Sequence, residues 1–457
     1  MNPSDIPLLE YNNIFVANLI WINRGIDKDI ATFDLVIREL PEKWSFYVFD
    51  GLERFVDLLL EHKFDEEAIK LLKQMNLIDS AETENFYRNF KFSGDVWSLK
   101  DGTIFFPGEP IVRITAPLLE ANLLTAFLLN VFSYPIRILT KTLRIKFACE
   151  GTLFYAGSLV RLPGFEQGLW ALRAPFLLKS QNSSPLFYRK FPQYLPPGKI
   201  TANINHAVIK SFSSERDAYR YVLDVLLDKA NFFFVMVDTY DLKKGLDIFI
   251  EEIKKTKNLD SSKLMITIDS GDIEAQAFYV REVLDQNGLQ NIKIQAMSNL
   301  DEYSIQKMIK NKAPVYCFIS ATALINITDN PKLEAVYKMA ELQHTDGTVE
   351  QKAKLTKGKE SYPGRKQVFR IYENGLMKED IIGLENEKLG EPLLHKIIEA
   401  GNLIISIPNL DDIGKHLNKE LASLPEKYKD VSKSAPYKVS PSEELLKLLE
   451  QVKKIHT

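Results

Sequence analysis

Through the second half of the chain, a short apolar run ends in small polar or acidic residues and is followed by a helical pattern. This happens four times in succession. Phe232 to Val237 leads into Asp238-Thr239-Tyr240-Asp241, and Lys263 to Ile268 leads into Asp269-Ser270-Gly271-Asp272. Ile292 to Ala296 then leads toward Ser298 and Asn299, and Val315 to Ile319 leads into Ser320-Ala321-Thr322. The run ends lie about 22 to 31 residues apart, the length of a βα unit. Their continuous apolar character, rather than strict alternation, predicts parallel strands covered on both faces. Ligands collect at the carboxyl ends of such strands. The pairs Asp238/Asp241 and Asp269/Asp272 therefore predict one crevice able to hold a divalent metal or sugar hydroxyls. Asp or Ser after a strand also caps the next helix. Two acidic pairs at neighbouring strand ends favour a site over capping alone.

The first part of the chain has a different rhythm. Residues 13 to 24, 51 to 61 and 65 to 90 have helical spacing, and 32 to 37 and 46 to 49 read as strands. Val96 to Leu99, Thr103 to Phe106 and Ile111 to Thr115 alternate like antiparallel strands, with Asp101-Gly102 and Pro107-Gly108 as turns. Helices resume at Leu118 and, after Pro135, carry Lys141 and Arg144 three apart on one face. The βα pattern holds from about 150 to 330. Residues 180 to 199, rich in Pro, Ser, Asn and Gln, predict a long surface loop, and the basic stretch 345 to 368 predicts another. A strand over Gln367 to Tyr372 follows. From 411 the tail is helical and charged, with Ser442 capping the last helix.

At 457 residues the chain is long enough for two or three domains. A net charge of −3 argues against a general nucleic-acid binder. The two cysteines, Cys149 and Cys317, lie in apolar contexts and predict free thiols in a reducing compartment. No secretory leader is evident, and the apolar stretch 116 to 139 is broken by Glu120, Asn122, Asn130, Pro135 and Arg137. The expectation is a cytoplasmic protein with no membrane span.

Several motifs in order resemble the nicotinate phosphoribosyltransferase family. They are Phe92-Ser-Gly-Asp-Val96, Asp101 to Pro110, Pro117 to Leu124, Val237-Asp-Thr-Tyr-Asp241, Ile268-Asp-Ser-Gly-Asp272, Asp301-Glu-Tyr303, Val336-Tyr-Lys338 and Pro363 to Arg370. The resemblance implies an α/β fold: an irregular α/β barrel of the type II phosphoribosyltransferases over residues 136–344, plus an α+β domain built from both chain ends, 1–135 and 345–457. It implies synthesis of nicotinate mononucleotide from nicotinate and phosphoribosyl diphosphate in NAD salvage. ATP hydrolysis through a phosphorylated histidine, Mg²⁺, and a homodimer with sites at the subunit interface belong to the same expectation. A ribosyl cation-like transition state losing pyrophosphate needs a metal and cations for the leaving group, and carboxylates about the ribose.

Carried over position by position, the resemblance makes His206 the phospho-acceptor, a role a neutral imidazole can fill. It makes Asp238 and Asp269 catalytic and the candidate metal ligands. Arg38, Lys141, Arg144, Arg161, Asp241, Ser270, Asp272, Thr322, Arg365 and Lys366 become the substrate-binding set. His206 has a plainer alternative as a structural histidine, the strand-end Asp and Ser residues as helix caps, Lys141 and Arg144 as a solvated helix edge, and Arg365 and Lys366 as exposed turn charges. The chain also departs from the pattern. Ala202, Asn203 and Ala207 flank His206 where Gly, Thr and Ser are usual. Val160 and Thr267 stand where arginines are usual, and Ile319-Ser-Ala loses glycines. The N-terminal tyrosine aligns with Asn12, with Tyr11 beside it. A charge-assisted contact is worth about 1.5 to 3 kcal/mol, so each lost arginine matters. Arg173, Lys179 and Lys210 are candidates to compensate. Three functions stay open: the family's enzyme, a catalytically degenerate homologue serving as a binding or regulatory subunit, and a phosphoribosyltransferase for another base.

Overall fold

The computed structural model describes residues 3–157, 159–180, 184–195 and 200–456. Its contacts separate two compact units. One comprises residues 1–140, 332–429 and 433–457; the other comprises 141–331 with 430–432.

The first unit is built on a seven-stranded antiparallel sheet. In spatial order its strands are Val349–Gln351, Ala335–Gln343, Ile30–Ile37, Pro110–Pro117, Asp95–Ser98, His395–Glu399 and Asn402–Leu403. Ala335–Gln343 belongs to this antiparallel sheet, beyond the βα pattern read from about 150 to 330. It pairs along the whole of Ile30–Ile37, and Phe33 stacks on Tyr337 with ring centroids 4.7 Å apart. The three strands expected as a consecutive meander also divide. Asp95–Ser98 pairs with Pro110–Pro117, but the short Ile104–Phe105 leaves to pair with Tyr47–Val48.

The expected helical stretch 65 to 90 is two helices, Glu66–Gln74 and Ala81–Arg88. Asn76 at φ +56° breaks the first, and Ser80 caps the second by accepting from Thr83 N–H. Phe64, Ile69, Leu72, Tyr87 and Phe90 of this region share one core with Phe15. The basic segment 345 to 368 is not wholly loop either, because Val349–Gln351 forms the sheet edge.

The second unit carries six parallel strands in the order Leu153–Ala156, Cys317–Ser320, Lys293–Ala296, Leu264–Ile268, Ala230–Met236, Ile200–Ile204. Helices Glu215–Lys229, Leu242–Lys255 and Ile273–Gln286 follow their strands and cover one face. Phe233, Val235, Val237, Leu264, Ile266, Ile268, Ile292 and Ile294 share a core with Leu223, Leu246, Phe249, Val280 and Leu284 of those helices. Side chains alternate along a strand, so Phe234, Met236, Met265, Thr267 and Gln295 face the other way. On that face Phe234 meets the ring of Tyr155 at 6.5 Å, although three strands separate theirs in the sheet. Such a contact requires the sheet to curl into a parallel half-barrel.

The stretch 180 to 199 also holds structure within its described part. Pro185–Lys190 is a helix with proline at its start, where the ring is already set for helical φ. Its Phe187 is fully buried against Phe176. Residues 181–183 and 196–199 lie outside the described residues. Among the described residues, no helix is long and apolar enough to cross a membrane.

Candidate active site

The two Asp pairs split into two jobs. Asp241 and Asp272, the later member of each, cap the following helices. Asp241 accepts from Lys244 N–H at 2.9 Å and Asp272 from Ala275 N–H at 3.0 Å. A carboxylate at a helix start satisfies an orphan donor and suits the positive end of the helix dipole. Asp238 and Asp269, the earlier members, stay clear of those ends and come together. The Ser270 hydroxyl donates to Asp238 Oδ2 at 2.8 Å, and Asp238 Oδ1 is buried with no partner. The Asp269 carboxyl is pushed above its ordinary range, first by burial and then by the nearby charge of Asp238. The Arg161 guanidinium pulls the other way without cancelling the rise.

His206 opens the short helix His206–Lys210, held there because Asn205 accepts from Ala207 and Val208 N–H. Its Nε2 lies 4.0 Å from Asp269 Oδ2, and its Nδ1 lies 3.1 Å from the Thr239 hydroxyl. Sequence spacing did not single out Thr239. Its position between Asp238 and Asp241 was the only signal, and such a residue is usually a spacer. Arg161 Nη1 reaches Thr322 Oγ1 at 3.5 Å. Imidazole, two carboxylates, a guanidinium and three hydroxyls thus collect at the carboxyl ends of the strands.

At Thr267 and at Ser320-Ala321, two of the places where the sequence departs from the pattern it resembles, the local packing is visible. Thr267 is fully buried and donates to Gln295 Oε1 at 2.9 Å, a neutral pair where an arginine was expected. Gly157 N–H donates to Ser320 O at 2.7 Å, and a Cβ on Gly157 would come within 2.5 Å of Ala321 Cβ. Glycine at 157 is therefore required for the chain to pass this close to Ser320 and Ala321. The side chain of Val160 lies outside the described residues. Arg173, a candidate to compensate, is buried with its guanidinium 5.0 Å from the Trp170 ring centroid.

Three expected phosphate ligands are turned inward. Lys141 Nζ binds Glu302 Oε2 at 2.5 Å and Asp329 Oδ1 at 2.6 Å, and Arg144 Nε binds Glu302 Oε1 at 2.9 Å. Lys366 Nζ binds Asp34 Oδ2 at 2.7 Å and donates to the carbonyls of Tyr362 and Gly364. Burial pulls the Lys366 ammonium down and the Asp34 carboxyl up. Removing an ion from water costs several kcal/mol unless a partner replaces the solvent, and for all three that partner is an internal carboxylate. In the first unit, Arg365 pairs with Glu341 at 2.8 Å and Arg38 with Glu334 at 3.4 Å; both stay partly exposed.

The fold and this cluster define an α/β protein whose polar site sits at the carboxyl ends of a curled parallel sheet. The N-terminal domain of the nicotinate phosphoribosyltransferase family matches residues 14–133, and the family's C-terminal domain matches 388–449. A nicotinate phosphoribosyltransferase of Mycobacterium tuberculosis is 30% identical over 437 residues, spanning 93% of this chain and 90% of that protein. One from Bacillus subtilis is 29% identical over 463 residues, spanning 94% and 91%. This chain belongs to the nicotinate phosphoribosyltransferase family. Human nicotinic acid phosphoribosyltransferase shares its fold, with a TM-score of 0.78 at 20% identity over 97% of this chain and 99% of that one. The nicotinate-nucleotide pyrophosphorylase of Pyrococcus furiosus shares it with a TM-score of 0.69 at 22% identity, covering 93% and 97%.

Proposed function

We propose that this protein is an enzyme of NAD salvage that joins nicotinate to phosphoribosyl diphosphate, releasing pyrophosphate, with ATP hydrolysis coupled through His206. The observation that carries this reading is the convergence of His206, Asp238 and Asp269, with Nε2 and Oδ2 4.0 Å apart at the strand ends. Family membership supports it. In this reading His206 accepts the γ-phosphoryl group of ATP, for which an exposed imidazole edge beside a carboxylate is suited. Asp238 and Asp269 present oxygens to the ribose and to the metal that accompanies the diphosphate. Ser270 fixes the Asp238 rotamer, and Arg161 with Thr322 offers donors to phosphate oxygens.

The donor set fits Mg²⁺. Asp238 Oδ1 is buried without a partner, and Asp269 lies beside it. Among the described residues no group of three or more His, Cys, Asp or Glu is placed to hold a metal alone. Magnesium typically takes one or two carboxylates and completes its shell with water and substrate phosphate. When bound, it would offset charge on the departing pyrophosphate. The reading includes a homodimer, which sedimentation would test.

Purified protein should form nicotinate mononucleotide and consume ATP, and His206→Asn should abolish the ATP coupling. Absence of product above a no-enzyme control would leave a binding subunit as the function. Product from nicotinamide but not from nicotinate would reassign the base.

A further inference from the structure

We infer that Thr239 is the positioning residue of the site: its hydroxyl holds the His206 ring in the orientation that accepts phosphate. The inference rests on the phosphoryl-accepting role proposed above. His206 lies at the first turn of a five-residue helix, with its side chain 36% exposed. Nothing in that helix fixes the ring. Among the described residues, the Thr239 hydroxyl at 3.1 Å is its one hydrogen-bonding partner, because Asp269 at 4.0 Å is beyond hydrogen-bond reach. A half-exposed imidazole without that partner would sample several rotamers, and misplacement by about 1 Å can cost a hundredfold in rate.

The chemistry of the partner matters as much as its presence. A hydroxyl both donates and accepts, so it can serve Nδ1 whether or not that nitrogen carries the proton. A carboxylate in the same place could only accept, and would favour the doubly protonated, non-nucleophilic ring. His344 shows that other outcome. Its Nδ1 lies 2.7 Å from Asp29 Oδ2 and its Nε2 3.1 Å from Glu350 Oε1, and these two acceptors hold its pKa above the ordinary value. At His206 the charged neighbour stands off and the neutral one makes the bond. Threonine adds a further constraint, since branching at Cβ restricts the rotamers from which the hydroxyl can point. Thr239 directly follows Asp238, so one strand end delivers both the carboxylate and the hydroxyl.

The test compares Thr239→Val, which keeps the shape and removes the hydroxyl, with Thr239→Ser, which keeps the hydroxyl. Acid-labile label transferred from γ-labelled ATP to His206 should form about tenfold more slowly in Thr239→Val and recover in Thr239→Ser. Melting temperature and affinity for phosphoribosyl diphosphate should stay at wild-type values in both. Labelling of Thr239→Val at the wild-type rate, or Thr239→Ser as slow as Thr239→Val, overturns the inference. The imidazole nitrogen-15 resonances of His206, assigned by their loss in His206→Asn, provide a readout independent of activity. Nδ1 should move in Thr239→Val and stay in Thr239→Ser, and an unmoved Nδ1 overturns the inference even where no label is transferred. Unlabelled wild-type protein with the expected Nδ1 shift would overturn only the phosphoryl role.

Discussion

Ser270 Oγ donates to Asp238 Oδ2 at 2.8 Å, tying together the ends of two neighbouring parallel strands. The bond uses one oxygen of Asp238 and leaves Oδ1 bare in the interior. Asp238→Asn and Asp269→Asn should each lower kcat/KM for nicotinate mononucleotide formation about 10²- to 10⁴-fold. Ser270→Ala, which frees a rotamer but keeps the charge, should cost about tenfold. Steady-state kinetics on the three variants checks the ranking, and equal losses would contradict it.

The capping carboxylates should behave differently. Asp241→Ala and Asp272→Ala each remove a helix cap, worth about 1 kcal/mol of stability. Urea unfolding should register that loss, while both variants keep most of their turnover. A loss of turnover matching that of Asp238→Asn would put them in the site.

Arg161 sets part of the pH response. Burial and Asp238 raise the Asp269 carboxyl pKa from its ordinary 3.8, and the Arg161 charge restrains the rise. Removing that cation favours the protonated acid. Arg161→Ala should therefore move the acid limb of the kcat/KM profile to higher pH. A limb that stays in place or moves down would show that Asp269 does not control it.

Glu302 is a structural keystone of the second unit. Its side chain is fully buried and neutralises Lys141 and Arg144 together. Glu302→Gln leaves two buried cations short of one counter-charge, which should cost about 3 to 5 kcal/mol. Denaturant unfolding of the variant checks this. A midpoint equal to wild type would mean that Asp329 alone suffices.

His62 gives the first unit an acid-sensitive point. Both ring nitrogens are buried without a partner beside Phe90 and Phe127, and burial lowers the pKa from 6.5 to about 4. The unfolded chain takes up the proton first as pH falls. The neutral ring therefore contributes its full stability above about 6.5, and that contribution is lost as pH falls toward about 4. The loss is on the order of 3 kcal/mol. His62→Leu should flatten the fall in stability across this range, as measured by urea unfolding at both ends of it.

Much of the second unit is legible in the chain. Continuous apolar runs identify parallel strands, and a small polar or acidic residue after each run marks the strand end, because a strand buried on both faces has nowhere else to place a polar group. The capping role of Asp241 and Asp272 is equally local, since a side chain three residues before a free N–H reaches it without help from the rest of the fold. The opposite holds for Lys141, Arg144 and Lys366. As sequence they are cations at helix and turn positions suited to phosphate. Their partners Glu302, Asp329 and Asp34 lie 161, 188 and 332 residues away in the chain, and only folding reveals them.

The chain by itself determined its family, its alternation of strand and helix, and the residue types available to the site, because hydrophobic period and capping chemistry act over a few residues. Tertiary structure alone decided which charges meet. It paired Ala335–Gln343 with Ile30–Ile37, buried three of the expected cations, and brought the Thr239 hydroxyl to His206. Strand partners and side-chain rotamers are settled by contacts between distant segments. Whether a charge faces water or a counter-ion is settled by the same contacts.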